Sequence, residues 1–145
     1  MIKFVDMFSG IGGFREGLTR AGGFTCVGHC EIDKYANRSY NALFDTKGEW
    51  FIEDARKADP GTMPDFQLLC GGFPCQTFSI AGTRKGFGDP RGTLFFELTR
   101  LAEARKPPYH CFSCKCRRYC PLCRRLLYAK PNVSAACRAD REFPR

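Results

Sequence analysis

The chain has 145 residues, of which 43% are hydrophobic and 26% are charged. A chain of this length and composition suits one soluble globular domain with a modest core. No apolar run approaches the length of a membrane span, and the first residues lack the layout of a signal peptide. We therefore expect a cytoplasmic protein that has no membrane among its partners.

The net charge of +8 lies almost entirely in the C-terminal part of the chain. Residues 1–110 carry 14 Lys and Arg against 13 Asp and Glu, whereas residues 111–145 carry 9 against 2. Six of the ten cysteines crowd the same C-terminal stretch. The overall charge therefore says little about what residues 1–110 bind.

Apolar runs and helical spacings alternate along the first part of the chain. In chain order they predict a strand at 2–8, a helix at 14–21, a strand at 24–30, a helix at about 34–43, a weaker strand at 50–52, a strand at 66–70 and a helix at 93–104. Strands that alternate with helices indicate an α/β fold with a mostly parallel, doubly wound sheet.

The turn after the first predicted strand, Asp-Met-Phe-Ser-Gly-Ile-Gly-Gly-Phe at 6–14, brings three glycines to the start of a helix. Glycine lets a backbone approach a ligand closely, and a helix N-terminus offers unpaired N–H groups. The dinucleotide fingerprint G-x-G-x-x-G would need a glycine where Arg15 stands, so this turn is a different motif. A tight turn without a ligand is the alternative.

Two carboxylates follow neighbouring predicted strands. Glu31 ends the second strand, about where an acidic residue hydrogen-bonds to ribose hydroxyls in nucleoside-binding folds. Asp54 ends the third strand, where a carboxylate could accept a hydrogen bond from an adenine amino group. Alone, Glu31 could be a solvated carboxylate and Asp54 an ordinary helix cap. Together with the glycine turn, they predict a nucleoside-containing cofactor.

The stretch Gly-Gly-Phe-Pro-Cys-Gln-Thr-Phe-Ser-Ile-Ala-Gly at 71–82 places Cys75 just outside the carboxyl end of a strand, where α/β sheets bind their ligands. Pro74 fixes the chain before it, and a thiol there can act as a nucleophile if its surroundings favour the thiolate. Cys70, inside the preceding apolar run, is predicted to be structural. The polar loop at 76–92 is long enough to be functional, and its basic residues could contact phosphates or simply be solvated.

Over residues 2–109 the chain resembles the N-terminal half of the cytosine-5 DNA methyltransferases. Residues 6–14 resemble the S-adenosylmethionine loop of that family, and 31–33 and 54–55 lie where it has its ribose and adenine contacts. Residues 71–82 resemble its catalytic Pro-Cys loop, and 85–97 resemble the segment that joins its mobile loop to the next helix. Phe-Pro-Cys-Gln followed by Phe-Ser-Ile-Ala-Gly favours the DNA-modifying branch over the tRNA-modifying branch.

The resemblance implies a Rossmann-like fold and DNA cytosine methylation, as in restriction–modification systems, with S-adenosylmethionine as cofactor. The Cys75 thiolate would add to carbon-6 of a cytosine swung out of double-stranded DNA, carbon-5 would take the methyl group, and loss of the carbon-5 proton would expel the cysteine. The implied catalytic residues are Cys75 and Pro74. The implied cofactor contacts are Phe8, Ser9, Gly10, Gly12, Gly13, Phe14, Glu31, Ile32, Asp54, Ala55 and Leu94. The implied DNA contacts are Gln76, Ser79, Arg84, Lys85 and Arg91.

The chain departs from the family pattern after Tyr109. The family holds or protonates the cytosine ring with the glutamate of a Glu-Asn-Val motif, expected on the strand after Lys106, and that motif is missing. We therefore expect residues 1–109 to be a partial methyltransferase domain whose sheet is incomplete at the C-terminal end. Little activity is expected of it alone; it could be a cofactor-binding remnant, or a second chain could supply the missing half.

Three interpretations of the Cys- and Arg-rich residues 110–145 remain open. Two Cys-x-x-Cys pairs permit a zinc module, which would make the chain a zinc-bearing nucleic-acid-binding protein; its ligands would be Cys111, Cys114, Cys120 and Cys123. A disordered basic tail that touches nucleic acid without specificity is the second. We favour the third, a shifted reading frame: suitable codons read one base on from the His110 codon permit Ile-Val-Phe-Leu, then Val or Ala, then Asn-Val-Glu-Gly. This is close to the expected family sequence, except that the Cys114 codon forces Val or Ala at the position of the glutamate.

Overall fold

The computed structural model describes residues 1–72 and 94–112. Within these two ranges, strands and helices alternate along the chain. In order they are β1 (Ile2–Met7), α1 (Gly13–Ala21), β2 (Phe24–Cys30), α2 (Lys34–Leu43), β3 (Trp50–Ile52), β4 (Leu68–Gly71), α3 (Leu94–Arg105) and β5 (Tyr109–Phe112). Two short 3₁₀ turns, Ala55–Lys57 and Pro60–Thr62, lie between β3 and β4.

The five described strands form one sheet in the order β3-β2-β1-β4-β5, and every neighbouring pair is parallel. From the central β1, the chain moves outward through β2 to β3 and then returns to place β4 on the other side of β1. This reversal confirms the predicted doubly wound parallel sheet. It also creates a switch point between β1 and β4, where ligands bind outside the carboxyl ends of strands in sheets of this kind.

Each face of the sheet has its own apolar cluster. Val5, Met7 and Leu69 on one face pack in a cluster with Leu98 and Leu101, which are fully buried residues of α3. Side chains alternate between the faces of a strand, so the neighbouring residues of β1 and β4 point the other way. There, Phe4, Leu68 and Cys70 pack with Phe14 and Leu18 of α1. The burial of Cys70 confirms its predicted structural role.

The observed boundaries differ from the predicted ones by one or two residues. The first strand stops at Met7 because Phe8 takes a φ of 55°, which extended backbone does not allow. The fourth strand begins at Leu68 rather than at residue 66 and continues to Gly71. Helix α1 begins at Gly13, one residue before its predicted start, and α3 ends at Arg105, one residue after its predicted end.

The last described strand, β5, pairs with β4 from Tyr109 to Phe112. It therefore crosses the predicted boundary between residues 109 and 110. The three interpretations of the C-terminal stretch stay predictions, because residues 113–145 lie outside the described part. None of the helices described is long and apolar enough to cross a membrane.

Candidate functional site

The chain leaves β1 through a turn that keeps an open surface at the start of α1. The Ser9 N–H donates to the carbonyl of Cys30 (3.0 Å), and the Gly12 N–H donates to the carbonyl of Ser9 (2.9 Å). Gly12 is the N-cap of α1, and no side chain caps this end of the helix within the described residues. A Cβ atom added at Gly10 or Gly13 would meet nothing within 4 Å. The turn therefore presents backbone and unpaired N–H groups to a ligand.

Gly12 has a different role from the two open glycines. Its φ of 98° lies in the left-handed region, and a Cβ atom there would collide with the ring of Phe44. The start of α1 is thus pressed against the residue that ends α2. Only glycine fits this close approach.

Glu31 reaches the glycine turn from the end of β2, as predicted. Its Oε2 accepts a hydrogen bond from the Gly10 N–H (2.7 Å), and its Oε1 accepts one from the Asp33 N–H (2.8 Å). A carboxylate has about four acceptor positions, so two remain for a ligand. The neighbouring Ile32 is exposed and can pack against an apolar group. Glu31 is therefore a fixed carboxylate beside an open turn.

Asp54 caps the 3₁₀ turn that follows β3. Its Oδ1 accepts a hydrogen bond from the Arg56 N–H (3.0 Å), and its Oδ2 forms an ion pair with the Arg56 guanidinium (2.7 Å). Hydrogen bonds from the Arg56 side chain hold the pKa of Asp54 below its ordinary value. The capping alternative is thus what the structure displays, and a ligand contact by Asp54 stays a prediction. Ala55, the first residue of the turn, is buried, and its assigned cofactor contact stays a prediction.

The exit of β4 lies beside the glycine turn. The Gly72 N–H donates to the carbonyl of Met7 (3.2 Å). A Cβ atom added at Gly72 would lie 3.8 Å from the carbonyl oxygen of Phe8 and 3.9 Å from the ring of Phe14. The segment that leads to Pro74 and Cys75 therefore leaves the sheet at the switch point. Leu94, also a predicted cofactor contact, is the first residue of α3 and is half-buried.

Asp6 is a buried acid that the sequence did not assign to the site. It is fully buried near the end of β1, and neither carboxylate oxygen has a hydrogen-bond partner of good geometry within the described residues. Burial raises the pKa of Asp6 to about 8, and the positive charge and the backbone N–H of Arg15 oppose this only in part. Burial therefore favours the protonated acid at neutral pH. The available signal was an acid inside an apolar strand directly before a glycine turn.

Arg15 is a second residue whose structural role the sequence did not reveal. Its guanidinium forms two short hydrogen bonds to the carboxylate of Glu49 (2.7 and 2.8 Å). From the sequence alone, Arg15 was informative only because it stands where a dinucleotide-binding motif would need a glycine. Its partner stands 34 residues away, and no periodicity joins the two.

The buried polar side chains of β2 are structural. His29 stacks on Tyr40 with ring centroids 4.2 Å apart, and its Nε2 pairs with the Asn37 amide oxygen (2.9 Å). Burial lowers the pKa of His29, so the ring is neutral at pH 7. Burial also raises the thiol pKa of Cys26 to about 11 and that of Cys30 to about 12. Neither thiol is therefore a nucleophile at neutral pH.

A family model described as C-5 cytosine-specific DNA methylase matches residues 2–112, well over half of the chain. The chain belongs to this family. It is 46% identical over 106 residues to the type II methyltransferase M.HhaI of Haemophilus parahaemolyticus; the match covers 73% of the chain and 31% of that protein. It is 43% identical over 112 residues to the orphan methyltransferase M.SPRI of Bacillus phage SPR, across 77% of the chain and 26% of that protein.

A solved structure supports the same assignment to the methylase fold. The crystal structure of S. pombe Dnmt2 methyltransferase matches with a TM-score of 0.54 and 25% identity, over 71% of this chain and 32% of that one. The chain thus spans no more than about a third of the length of each of these relatives. The family match ends at Phe112, the last residue of β5.

Several of the predicted site residues lie outside the described residues. They are Pro74, Cys75, Gln76, Ser79, Arg84, Lys85, Arg91, Cys114, Cys120 and Cys123. Cys111, the remaining zinc-ligand candidate, is half-buried in β5 and pairs in register with Cys70. Among the described residues, no three His, Cys, Asp or Glu side chains cluster closely enough to hold a metal ion.

Proposed function

We propose that this chain is the cofactor-binding and nucleophile-bearing portion of a DNA cytosine-5 methyltransferase of the restriction–modification type. The observation that carries the proposal is the approach of Gly72 to the glycine turn at Phe8 and Phe14. Cys75 stands three residues beyond Gly72, a stretch that spans at most about 11 Å when fully extended. The length of this stretch therefore allows the thiol of Cys75 to reach a ligand on the turn.

The described residues fit S-adenosylmethionine. The open N-terminus of α1 offers N–H groups to its carboxylate, and Glu31 retains acceptor positions for its ribose hydroxyls. The exposed side chain of Ile32 offers an apolar contact to its adenine ring. When bound, this cofactor supplies the methyl group. Asp54 fits less directly, since its carboxylate is engaged by Arg56.

The reaction that family membership supports uses Cys75 as the nucleophile. Its thiolate adds to carbon-6 of an extruded cytosine, which makes carbon-5 nucleophilic enough to accept the methyl group. Loss of the carbon-5 proton then returns the electrons to the ring and expels the cysteine. Pro74 restricts the backbone in front of the nucleophile, and the basic residues of the loop at 76–92 contact the phosphates of double-stranded DNA.

A second candidate, a cofactor-binding remnant without catalysis, is favoured by the residues after Tyr109. The stretch that follows contains no Glu-Asn-Val motif. A chain without the ring-holding glutamate would bind S-adenosylmethionine and transfer little. A second chain that supplies the missing portion would restore transfer.

Calorimetry with S-adenosylmethionine tests the cofactor site. We expect the wild type to bind, Glu31→Ala to bind at least about tenfold more weakly because it loses a charged acceptor, and Glu103→Ala to bind like the wild type. Glu103 is an exposed acid of α3 and serves as the matched control. Absence of wild-type binding, or equal binding by Glu31→Ala, would refute the cofactor site.

Trapping on DNA that contains 5-fluorocytosine tests the nucleophile and separates the two candidates. We expect a covalent adduct when the chain is co-expressed with the C-terminal portion of a related methyltransferase, and none for Cys75→Ser. An adduct with the chain alone would exclude the remnant. Failure to trap with any complementing portion, while the cofactor still binds, would support the remnant and remove the enzyme.

A further inference from the structure

Arg15 and Glu49 form a buried, two-pronged ion pair between α1 and the residue before β3. The Arg15 Nη1 donates to Glu49 Oε2 (2.7 Å), and Nη2 donates to Oε1 (2.8 Å). Only 11% of the Arg15 side chain and 14% of the Glu49 side chain is exposed. This parallel geometry fixes direction as well as distance, which a single charge contact does not.

The rest of the guanidinium is held by α2 and by the connection that follows it. Nη2 also donates to the carbonyl of Asp45 (3.0 Å), and Nη1 lies 3.5 Å from the Tyr40 hydroxyl. The guanidinium carbon stands 4.8 Å from the ring centroid of Phe44 and 5.4 Å from that of Tyr40. Cations placed over aromatic faces in partly dry surroundings gain additional attraction. None of these contacts is made to the ligand-facing surface of the turn.

The ring of Phe44 also packs against the glycine turn. Phe44 lies under the Arg15 guanidinium, and it is also the ring that a Cβ atom at Gly12 would strike. The N-cap of α1 and its third residue therefore both contact Phe44. These two contacts fix the distance between the start of α1 and the end of α2. The glycine turn leads directly into them.

We propose that Arg15 and Glu49 are positioning residues that hold the glycine turn at the spacing its ligand requires. They touch no ligand themselves. Through α1 they keep the Gly10 N–H on Glu31 and the unpaired N–H groups of the helix directed to one side. This inference rests on the proposed function, since the ligand concerned is S-adenosylmethionine.

The test must separate positioning from folding, and the pair permits this. Arg15→Met alone leaves Glu49 buried without its partner and is expected to destabilise the protein strongly. Arg15→Met combined with Glu49→Met removes both charges and retains side-chain volume, so it should recover most of the lost melting temperature. The matched control, Glu16→Met with Arg20→Met, removes an exposed ion pair of the same helix.

We expect the double variant at Arg15 and Glu49 to bind S-adenosylmethionine at least tenfold more weakly than the wild type in calorimetry. Hydrogen exchange should be at least tenfold faster at the Ser9 amide, which is bonded to Cys30, and at the Gly12 amide, which is bonded to Ser9. The control should match the wild type in both. Wild-type affinity and exchange in the stable double variant would overturn the inference. A wild type that does not bind would instead refute the proposed function, while the exchange comparison would still decide the positioning role.

Discussion

The Gly10 N–H donates a 2.7 Å hydrogen bond to the carboxylate of Glu31, and this bond joins the ends of β1 and β2. The other carboxylate oxygen accepts from the Asp33 N–H at the start of α2. Glu31→Ala leaves two backbone donors without their acceptor, so we expect a loss of about 1–2 kcal/mol in the free energy of unfolding. Urea denaturation measures it.

Glu31→Gln is the informative comparison. A glutamine keeps one acceptor oxygen and turns the other into a donor that faces a backbone N–H. We expect its stability to fall between those of the wild type and Glu31→Ala. A midpoint for Glu31→Ala equal to that of the wild type would show that the bond to Gly10 contributes nothing.

Asp6 predicts a dependence of stability on pH. Burial raises its folded-state pKa from 3.8 to about 8, so the folded state keeps a proton that the unfolded state has lost between these values. The contribution of this group is therefore complete below about pH 4 and is lost as the pH rises through about 8. Asp6→Asn is neutral at every pH and should abolish this dependence.

Urea unfolding of both proteins at pH 6, 7 and 8 measures the effect of Asp6. We expect the stability of the wild type to fall relative to Asp6→Asn by about 2 kcal/mol over this range. His29 does not produce the same trend. Its lowered pKa makes stability fall as the pH drops below about 6.5, which is the opposite direction. A constant difference between the two proteins would mean that Asp6 does not titrate there.

Arg56 predicts a test of the adenine contact assigned to Asp54. Both oxygens of that carboxylate accept from Arg56: the backbone N–H donates to Oδ1, Nη2 donates to Oδ2, and Nε is shared between them. An adenine amino group would have to displace the guanidinium. Arg56→Gln should therefore tighten S-adenosylmethionine binding, by no more than about fivefold because the ion pair is exposed.

Asp54→Asn supplies the other half of this comparison. If adenine contacts Asp54, this change weakens binding because the amide is a poorer acceptor than the carboxylate. Titration calorimetry on both variants measures the two effects. Weaker binding by Arg56→Gln would mean that Arg56 supports the ligand rather than competing with it.

The order of elements was predictable because each apolar run is bounded by glycines or acids. Parallel strands end at a common edge, so the meeting of Glu31 with the glycine turn followed from the alternation of strands and helices. The end of β1 was missed by one residue, since nothing in an apolar run reveals the positive φ of Phe8. The residue that follows, Ser9, bonds to Cys30 of β2, and a tertiary contact of this kind is not visible in a local pattern.

The residues that support the site, Asp6, Arg15 and Glu49, were not predictable in the same way. Asp6 is an acid at a position where the strand pattern calls for an apolar residue, and its burial follows only from the packing of helices on that face. Arg15 and Glu49 meet because α1 connects β1 to β2, and β3 pairs with the far side of β2. Local sequence patterns do not reveal this ion pair, because it forms only when the helix and the strand entry pack together.

Three glycines of the turn and of α1 give the last prediction. Gly12→Ala should lose at least about 2 kcal/mol of unfolding free energy, because its φ of 98° is strained for alanine and the methyl group would strike Phe44. Gly13→Ala and Gly17→Ala should each change stability by no more than about 1 kcal/mol, since both sites are exposed helical positions with open space around the added atom.

Cofactor binding should separate the two tolerated glycine variants. A methyl group at Gly13 projects into the open surface at the helix start, so S-adenosylmethionine should bind at least about tenfold more weakly. Gly17 lies one turn further along α1, and its substitution should leave the affinity unchanged. Chemical denaturation and calorimetry on the same preparations measure both quantities. Equal affinities for Gly13→Ala and Gly17→Ala would place the ligand away from the helix start.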